Sequence, residues 1–247
     1  MKELQELQQV AEEAARAGAE VLRRYFRRDG LSFQEKSRHD LVSEADHASE
    51  AAILEVLGRR VPDHAVLAEE GGALEGGRDV DYQWLIDPLD GTSNFVHGLA
   101  YFAVSIACRR GSETVVGVIH EPAADQLFSG ARGSGARWNG EPIRVSSQPG
   151  LDGAFLSTGF PFRVRAALEP YLGLFHDVAV QAQGIRRCGA AALDLAYTAA
   201  GVYDGFFEFG LAPWDVAAGA LLVEEAGGAV SDLDLSLIHI SEPTRPF

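Results

Sequence analysis

The sequence predicts an α/β (α+β) fold, a helix pair packed on a mostly antiparallel sheet and followed by a second α/β unit. Three observations predict it. Apolar residues recur at three- and four-residue spacing through the N-terminal segment. Short apolar runs separated by Gly and Pro turns then occupy the middle of the chain. After the polar break Ser146-Ser147-Gln148-Pro149-Gly150, strand-like and helix-like segments alternate.

Taken in order, Leu4, Leu7, Val10, Ala14, Ala17, Val21 and Leu22 predict a helix over 3–28. Its last turn carries Arg23, Arg24, Arg27 and Arg28, which suits the negative helix end, and Asp29-Gly30 stops it. Ala48, Ala52, Ile53, Val56 and Leu57 predict a second helix over 45–60, closed by Pro62. Strands are expected at 65–68, 83–86, 102–109, 114–120 and 126–129. In the second unit, strands are expected at 154–157, 184–187, 205–208 and 229–231, and helices at 164–180, 190–200 and 213–226. The break divides the chain into an N-terminal half, 1–147, and a C-terminal half, 148–233.

The tail, 234–247, fits neither half. Leu235-Ser236-Leu237-Ile238-His239-Ile240 is strand-like, yet Pro243 and Pro246 follow closely. Two readings stay open, a segment foreign to the domain and an ordinary frayed terminus.

Composition narrows the function classes. The 247 residues include 36 acids against 21 Lys and Arg, a net charge of −15. That balance argues against a nucleic-acid groove and against an anionic membrane surface, which both need basic residues. The acid excess is either a solvated surface or, in part, a set of cation ligands. Cys108 and Cys188 form no disulfide framework or metal pair and are expected as buried free thiols. No apolar run is long enough for a transmembrane helix, and Met1-Lys2-Glu3-Leu4 is unlike a signal peptide. A soluble cytoplasmic protein is the expectation.

The chemistry concentrates in Trp84-Leu85-Ile86-Asp87-Pro88-Leu89-Asp90-Gly91-Thr92-Ser93-Asn94-Phe95. An apolar strand ends in Asp87, and Pro88 is expected to reverse the chain so that Asp87 and Asp90 converge. Two hard carboxylate ligands suit Mg²⁺, which keeps waters or phosphate oxygens in its remaining positions. Leu89 offers a carbonyl between them. Gly91 and Thr92 offer N–H groups at a helix start, where anions bind. Asp, Pro and Gly are also ordinary turn residues. Two further acidic elements accompany them: Glu69-Glu70 after a short strand, and Asp215 opening a helix, where an acid also simply favours the dipole.

Asp87-Pro88-Leu89-Asp90-Gly91-Thr92-Ser93-Asn94 resembles the first signature of the inositol monophosphatase family, and Trp214-Asp215-Val216-Ala217-Ala218-Gly219 the second. Glu69-Glu70 precedes both, and the likeness extends through Gly184–Gly189 and Asp204–Glu208, covering about 3–233. The resemblance implies a layered αβαβα sandwich of the sugar-phosphatase type, a homodimer, sensitivity to lithium, and two or three Mg²⁺ ions. It assigns Glu69, Asp87 and the Leu89 carbonyl to one ion, and Asp87, Asp90 and Asp215 to a second. A third, weaker ion would lie near Glu69. Asp46 and Thr92 match the pair that orients and deprotonates the attacking water, and Glu69 joins them in the catalytic set.

The same resemblance places the phosphate against the N–H groups of Gly91 and Thr92, with Asp90 and Asp215 beside it. Gly189, Ala190 and Ala191 match the segment that meets a polyol through its backbone, and Glu208 the acceptor for its hydroxyls. Lys36 matches a basic residue of the family's N-terminal loop, although a solvated lysine is an equal reading. Asn94-Phe95-Val96-His97 favours the branch acting on myo-inositol 1-phosphate, with His97 structural, and Thr158-Gly159-Phe160-Pro161-Phe162 is of the bacterial type. The implied activity is hydrolysis of that ester, or of a similar polyol phosphate, to the alcohol and phosphate. Sugar, nucleotide and histidinol phosphates are the alternative substrates. A protein-binding role in transcription and ribosomal-RNA processing is an alternative of another kind. Two departures stand out. Ala68 replaces a usual Gly before the acidic pair, and the tail replaces a further strand and helix.

Overall fold

The computed structural model describes residues 2–28, 33–37, 40–74, 79–161 and 165–232, with backbone alone at 33–37, 40–42, 74, 79–80 and 165. The first helix, α1 (Lys2–Tyr25), buries Leu7, Val10, Ala11, Ala14, Ala15, Gly18, Ala19 and Leu22 along one face. A hairpin, β1 (Phe33–Ser37) and β2 (Asp40–Ser43), leads into α2 (Glu44–Arg60). Ser43 caps α2, and its hydroxyl accepts the Ala45 N–H at 3.2 Å. The helices cross closely at Gly18, where a Cβ would come within 2.8 Å of Ser49 Oγ.

Next come β3 (His64–Ala68), β4 (Gly72–Leu74), β5 (Asp79–Asp90), the short α3 (Thr92–Val96), β6 (Ala103–Arg110) and β7 (Glu113–Glu121). The strands β8 (Gln126–Ala131), β9 (Ala136–Trp138) and β10 (Glu141–Pro142) complete an eight-stranded sheet in the order β10-β9-β8-β7-β6-β5-β3-β4. Every pair is antiparallel except β3 with β5. That one parallel pair has a consequence for the site. It brings two strand C-termini to the same edge, with Ala68 opposite Ile86. The Glu69 N–H accordingly donates to the Ile86 carbonyl at 3.1 Å.

The remaining elements are β11 (Phe155–Thr158), α4 (Leu168–Ala179), β12 (Gly184–Arg186), α5 (Ala191–Ala199), β13 (Gly205–Phe207) and α6 (Pro213–Glu225). The second sheet is parallel, in the order β12-β11-β13. Three apolar clusters glue the layers together. α1 and α2 share the first with one face of the large sheet, through Trp84, Val104 and Ile106, and with the neighbouring Phe95 and Phe102. Burying each such side chain contributes about 1.5–3 kcal/mol. α5 and α6 share the second with the opposite face, through Leu85, Ile119, Phe128, Leu193 and Leu222. Leu174 and Val178 of α4 join Leu156, Ile185 and Phe207 of the small sheet in the third. The order is αβαβα, as expected.

Several local expectations need correction. Pro88 does not reverse the chain. β5 continues to Asp90, and the register against β6 slips between Asp87 and Asp90, as in a bulge. Residues 229–231 build no strand, and only Ser231 makes an isolated bridge. Just before them, a Cβ at Gly228 would come within 2.7 Å of Val223 and 2.9 Å of Val145, so the chain packs closely against the end of α6 there. A 3₁₀ turn, Arg165–Ala167, precedes α4, which starts later than expected. Cys108 is buried, but Cys188 is only half-buried. The hairpin β1–β2, β4, β9 and β10 were too short to read as periodic segments. Asp29-Gly30, Phe162 and 234–247 lie outside the described residues, as does the side chain of Lys36 on β1. Among the described residues, no helix is long and apolar enough to cross a membrane.

Candidate active site

The bulged end of β5 is the centre of the site. Asp87 Oδ1 accepts the Leu89 N–H at 3.0 Å, which fixes the carboxylate across the bulge. Asp90 Oδ2 accepts the Ala192 N–H of α5 at 2.7 Å. Asp215 stands in the first turn of α6, where Oδ2 accepts the Ala212 N–H at 2.7 Å. All three acids are buried. Each therefore has an oriented carboxylate, placed by a strand end or a helix start rather than by a free loop.

Burial pushes the Asp87 carboxyl well above the usual carboxylate range, and the charges of Glu69, Asp90 and Asp215 raise it further. Asp90 is raised for the same leading reason, with Asp215, Asp194 and Glu208 adding to it. Like charges gathered out of water repel, and a cation among them removes that penalty. Among the described residues, no three acidic, His or Cys side chains form a ready-made metal cage. Mg²⁺ can complete its shell with waters and phosphate oxygens, so a cage formed by side chains alone is not required. The buried, mutually repelling donor set fits that ion.

The N-terminus of α2 supplies the next group. Asp46 is 1% exposed. Its Oδ2 accepts the Ser43 N–H at 2.8 Å and the Ser43 hydroxyl at 2.6 Å, completing a capping box. Its Oδ1 lies 3.1 Å from Thr92 Oγ1, which is also 3.0 Å from the Leu89 carbonyl. Ser49, one turn along, donates to the Pro88 carbonyl at 2.9 Å. Gly18 of α1 leaves the space that Ser49 occupies. Packing of two helices thus sets the position of the 87–92 turn.

Gly91 adopts φ +90, and a Cβ there would meet the Tyr101 carbonyl and Ala190 Cβ at 3.1 and 3.2 Å. A side chain would push apart the turn and the start of α5. Gly189, at φ +88, leads into the extended Ala190 that caps α5, with Ala190 and Ala191 buried. Glu208 follows β13 and acts electrostatically on Asp90, so it belongs to the same space. The structure brings Asp46, Glu69, Asp87, Leu89, Asp90, Gly91, Thr92, Gly189, Ala190, Ala191, Glu208 and Asp215 to one region, where the layers meet. His97 is exposed, with its ring nitrogen 2.8 Å from the Ser93 carbonyl.

Sequence reading missed several supporting residues. Glu50, on α2, accepts the Glu70 N–H at 3.1 Å and holds the turn that carries Glu69. Burial raises its carboxyl above the ordinary range. Its spacing four residues after Asp46, on the same helix face, was the available signal. Gly159 does more than mark the bacterial-type pattern, since a Cβ there would fall 2.0 Å from the Glu208 carboxyl. Asp194, an acid inside the apolar run Ala191–Ala199, accepts the Tyr101 hydroxyl at 2.8 Å, and burial pushes it up to about 7.

A layered αβαβα frame with buried, mutually repelling acids at a strand end and a helix start defines a class, and comparison with known proteins identifies it. The model of the inositol monophosphatase family matches residues 3–244, and the chain belongs to that family. It is 50% identical over 233 residues to the Nus factor SuhB of Pseudomonas aeruginosa, covering 93% of this chain and 86% of that protein. Against the Nus factor SuhB of Escherichia coli K12 the identity is 47%, covering 89% and 82%. The solved inositol monophosphatase of Anabaena superposes with a TM-score of 0.86 at 42% identity, covering 98% of this chain and 89% of that one.

Proposed function

We propose that the protein is a Mg²⁺-dependent phosphomonoesterase acting on myo-inositol 1-phosphate or a similar polyol phosphate. The observation that carries this reading is the Thr92–Asp46 contact beside the buried trio of Asp87, Asp90 and Asp215. Glu69, Asp87 and the Leu89 carbonyl would hold one ion, Asp87, Asp90 and Asp215 a second, and Glu69 contributes to any third. Bound cations supply positive charge for the phosphate oxygens and acidity for a water.

The chain's own groups do the rest. Thr92 Oγ1 carries a single proton. When that proton points to Asp46, the Thr92 lone pairs accept a hydrogen bond from the attacking water and orient it. Asp46 is the final acceptor of the water's proton, and Ser43 holds it in line through the opposite oxygen. The N–H groups of Gly91 and Thr92 receive phosphate oxygens. Glu208 accepts hydrogen bonds from polyol hydroxyls, and the 189–191 backbone lines the same side. Departure of the alcohol is completed by a proton from solvent. Kinetic comparison of inositol 1-phosphate, fructose 1,6-bisphosphate, histidinol phosphate and a nucleotide tests the reading, and a preference for any of the last three overturns the substrate choice. Lithium is expected to inhibit.

Identity near one half to proteins named Nus factor favours a second role, binding a protein of the transcription machinery alongside catalysis. Purified bacterial transcription factors passed over the immobilised protein test it, and the absence of any retained factor counts against it. A homodimer is the proposed assembly, and light scattering at a mass near 53 kDa (roughly twice one chain) is the expected result.

A further inference from the structure

We propose that Asn94 is a positioning residue for the leaving group: it straps the 188–191 segment to the 87–92 turn and thereby sets how well the site accepts a polyol. The proposal rests on the phosphatase reading above. Asn94 lies on α3, two residues beyond Thr92. Its Nδ2 lies 2.7 Å from the Tyr101 carbonyl, 2.9 Å from the Cys188 carbonyl and 3.4 Å from the Gly189 carbonyl. An amide NH₂ has two hydrogens, so the two nearer carbonyls take them. One nitrogen thus ties the 94–101 stretch to a segment 94 positions away.

A second bond complements the first. Asp90 Oδ2 accepts the Ala192 N–H at 2.7 Å. Residues 189–191 are therefore suspended between two anchors, a carbonyl held by Asn94 and an N–H held by Asp90. Both anchors originate in the stretch 90–94. The suspended segment has little slack. Gly189 sits at φ +88, where a Cβ would come within 2.6 Å of the Arg187 guanidinium and 3.5 Å of the Asn94 amide. On the other side, a Cβ at Gly91 would meet Ala190 Cβ at 3.2 Å.

The two anchors differ in what they affect. Asp90 belongs to the acidic trio, so its loss harms all turnover. Asn94 touches none of Asp46, Asp87, Asp215 or Thr92 in the bonds above. Its loss frees the Cys188 carbonyl, and with it the backbone that lines the alcohol side, together with the Tyr101 carbonyl. Asn94→Ala removes both donors, and Asn94→Ser keeps one on a shorter arm.

The test compares inositol 1-phosphate with p-nitrophenyl phosphate, whose aryl group has no hydroxyls for that backbone to meet. The full chain is assayed with MgCl₂. For Asn94→Ala, kcat/KM on inositol 1-phosphate is expected to fall about tenfold, chiefly through KM, as suits one lost hydrogen bond. On p-nitrophenyl phosphate it stays within about twofold. Asn94→Ser falls between. Amide exchange rises at 189–192 while β5 stays protected, a readout independent of turnover. Equal losses on both substrates, or unchanged kinetics and exchange, overturn the proposal. If wild type hydrolyses neither ester, the phosphatase reading fails and takes the proposal with it. If wild type is active and the variant treats both esters alike, the proposal alone fails.

Discussion

Thr92 Oγ1 lies 3.1 Å from Asp46 Oδ1, and the other Asp46 oxygen is held twice by Ser43. The acid therefore has one oxygen for structure and one for Thr92. Asp46→Asn keeps the size and one acceptor but ends its capacity to take a proton. We expect kcat to fall by about 10²–10⁴, the usual contribution of general-base catalysis, with Mg²⁺-induced thermal stabilisation unchanged. Thr92→Ser, which retains the hydroxyl, should keep most of the rate. Steady-state kinetics with thermal melts at several MgCl₂ concentrations check both.

Asp90→Asn and Asp215→Asn should lose nearly all turnover and most stabilisation by Mg²⁺. Neither should unfold, because the amide oxygen still accepts the Ala192 or Ala212 N–H. In EDTA both variants should melt above wild type, since each removes an acid that is costly to bury there, whether charged beside like charges or holding a proton. A lower melting temperature without metal would contradict the electrostatic account.

Mg²⁺ binding should strengthen as pH rises. Asp87 and Asp90 are raised well above the ordinary range in the metal-free protein. A raised carboxyl holds its proton to higher pH than an ordinary acid, and a cation competes with that proton, so binding should release protons and be weakened by acid. Titration calorimetry in two buffers of different ionisation enthalpy, at pH 6 and pH 8, measures this directly. Equal affinity at both values, without proton release, would be the contrary result.

Asp194 gives a separate pH signature for folding. Its carboxyl moves from the ordinary 3.8 up to about 7 on burial. The folded state holds a proton that the unfolded state lacks between those values, so stability falls across that window as pH rises. Asp194→Asn keeps an acceptor for the Tyr101 hydroxyl and has no charge to bury. In EDTA, its stability relative to wild type should grow from pH 4 to 7, by an amount on the order of 1–3 kcal/mol, and level off above. Urea denaturation at pH 5 and 8 checks the trend.

Gly159→Ala should fold, because the atoms its methyl group meets are the movable end of Glu208. The carboxyl must swing away. We expect KM for a polyol phosphate to rise several-fold, about 1 kcal/mol for a displaced hydrogen bond, with p-nitrophenyl phosphate nearly unaffected.

The long helices and the central strands were legible because each buries one face against one layer, which imprints a period on the sequence. The acidic elements were legible for a different reason: they stand at strand ends and helix starts, where punctuation by Pro, Gly and small residues marks them. The direction of the chain at Pro88 was not legible. Proline at a strand end reads as a turn, and only pairing of Asp90 with Ala103 shows the strand resuming. Glu50 and Gly159 were hidden because their partners, the Glu70 N–H and the Glu208 carboxyl, lie 20 and 49 positions away. No local pattern encodes such contacts.

Asp90 is at once a member of the acidic trio and the anchor for the Ala192 N–H of α5. For anyone redesigning this protein, that double duty closes the position to exchange. Glutamate would shift the carboxylate by a methylene and drag the helix with it, and a neutral acceptor would keep the helix but forfeit the charge. If Glu69 holds a cation as proposed, it is the better position for retuning cation preference, because the turn that carries it is held from behind by Glu50.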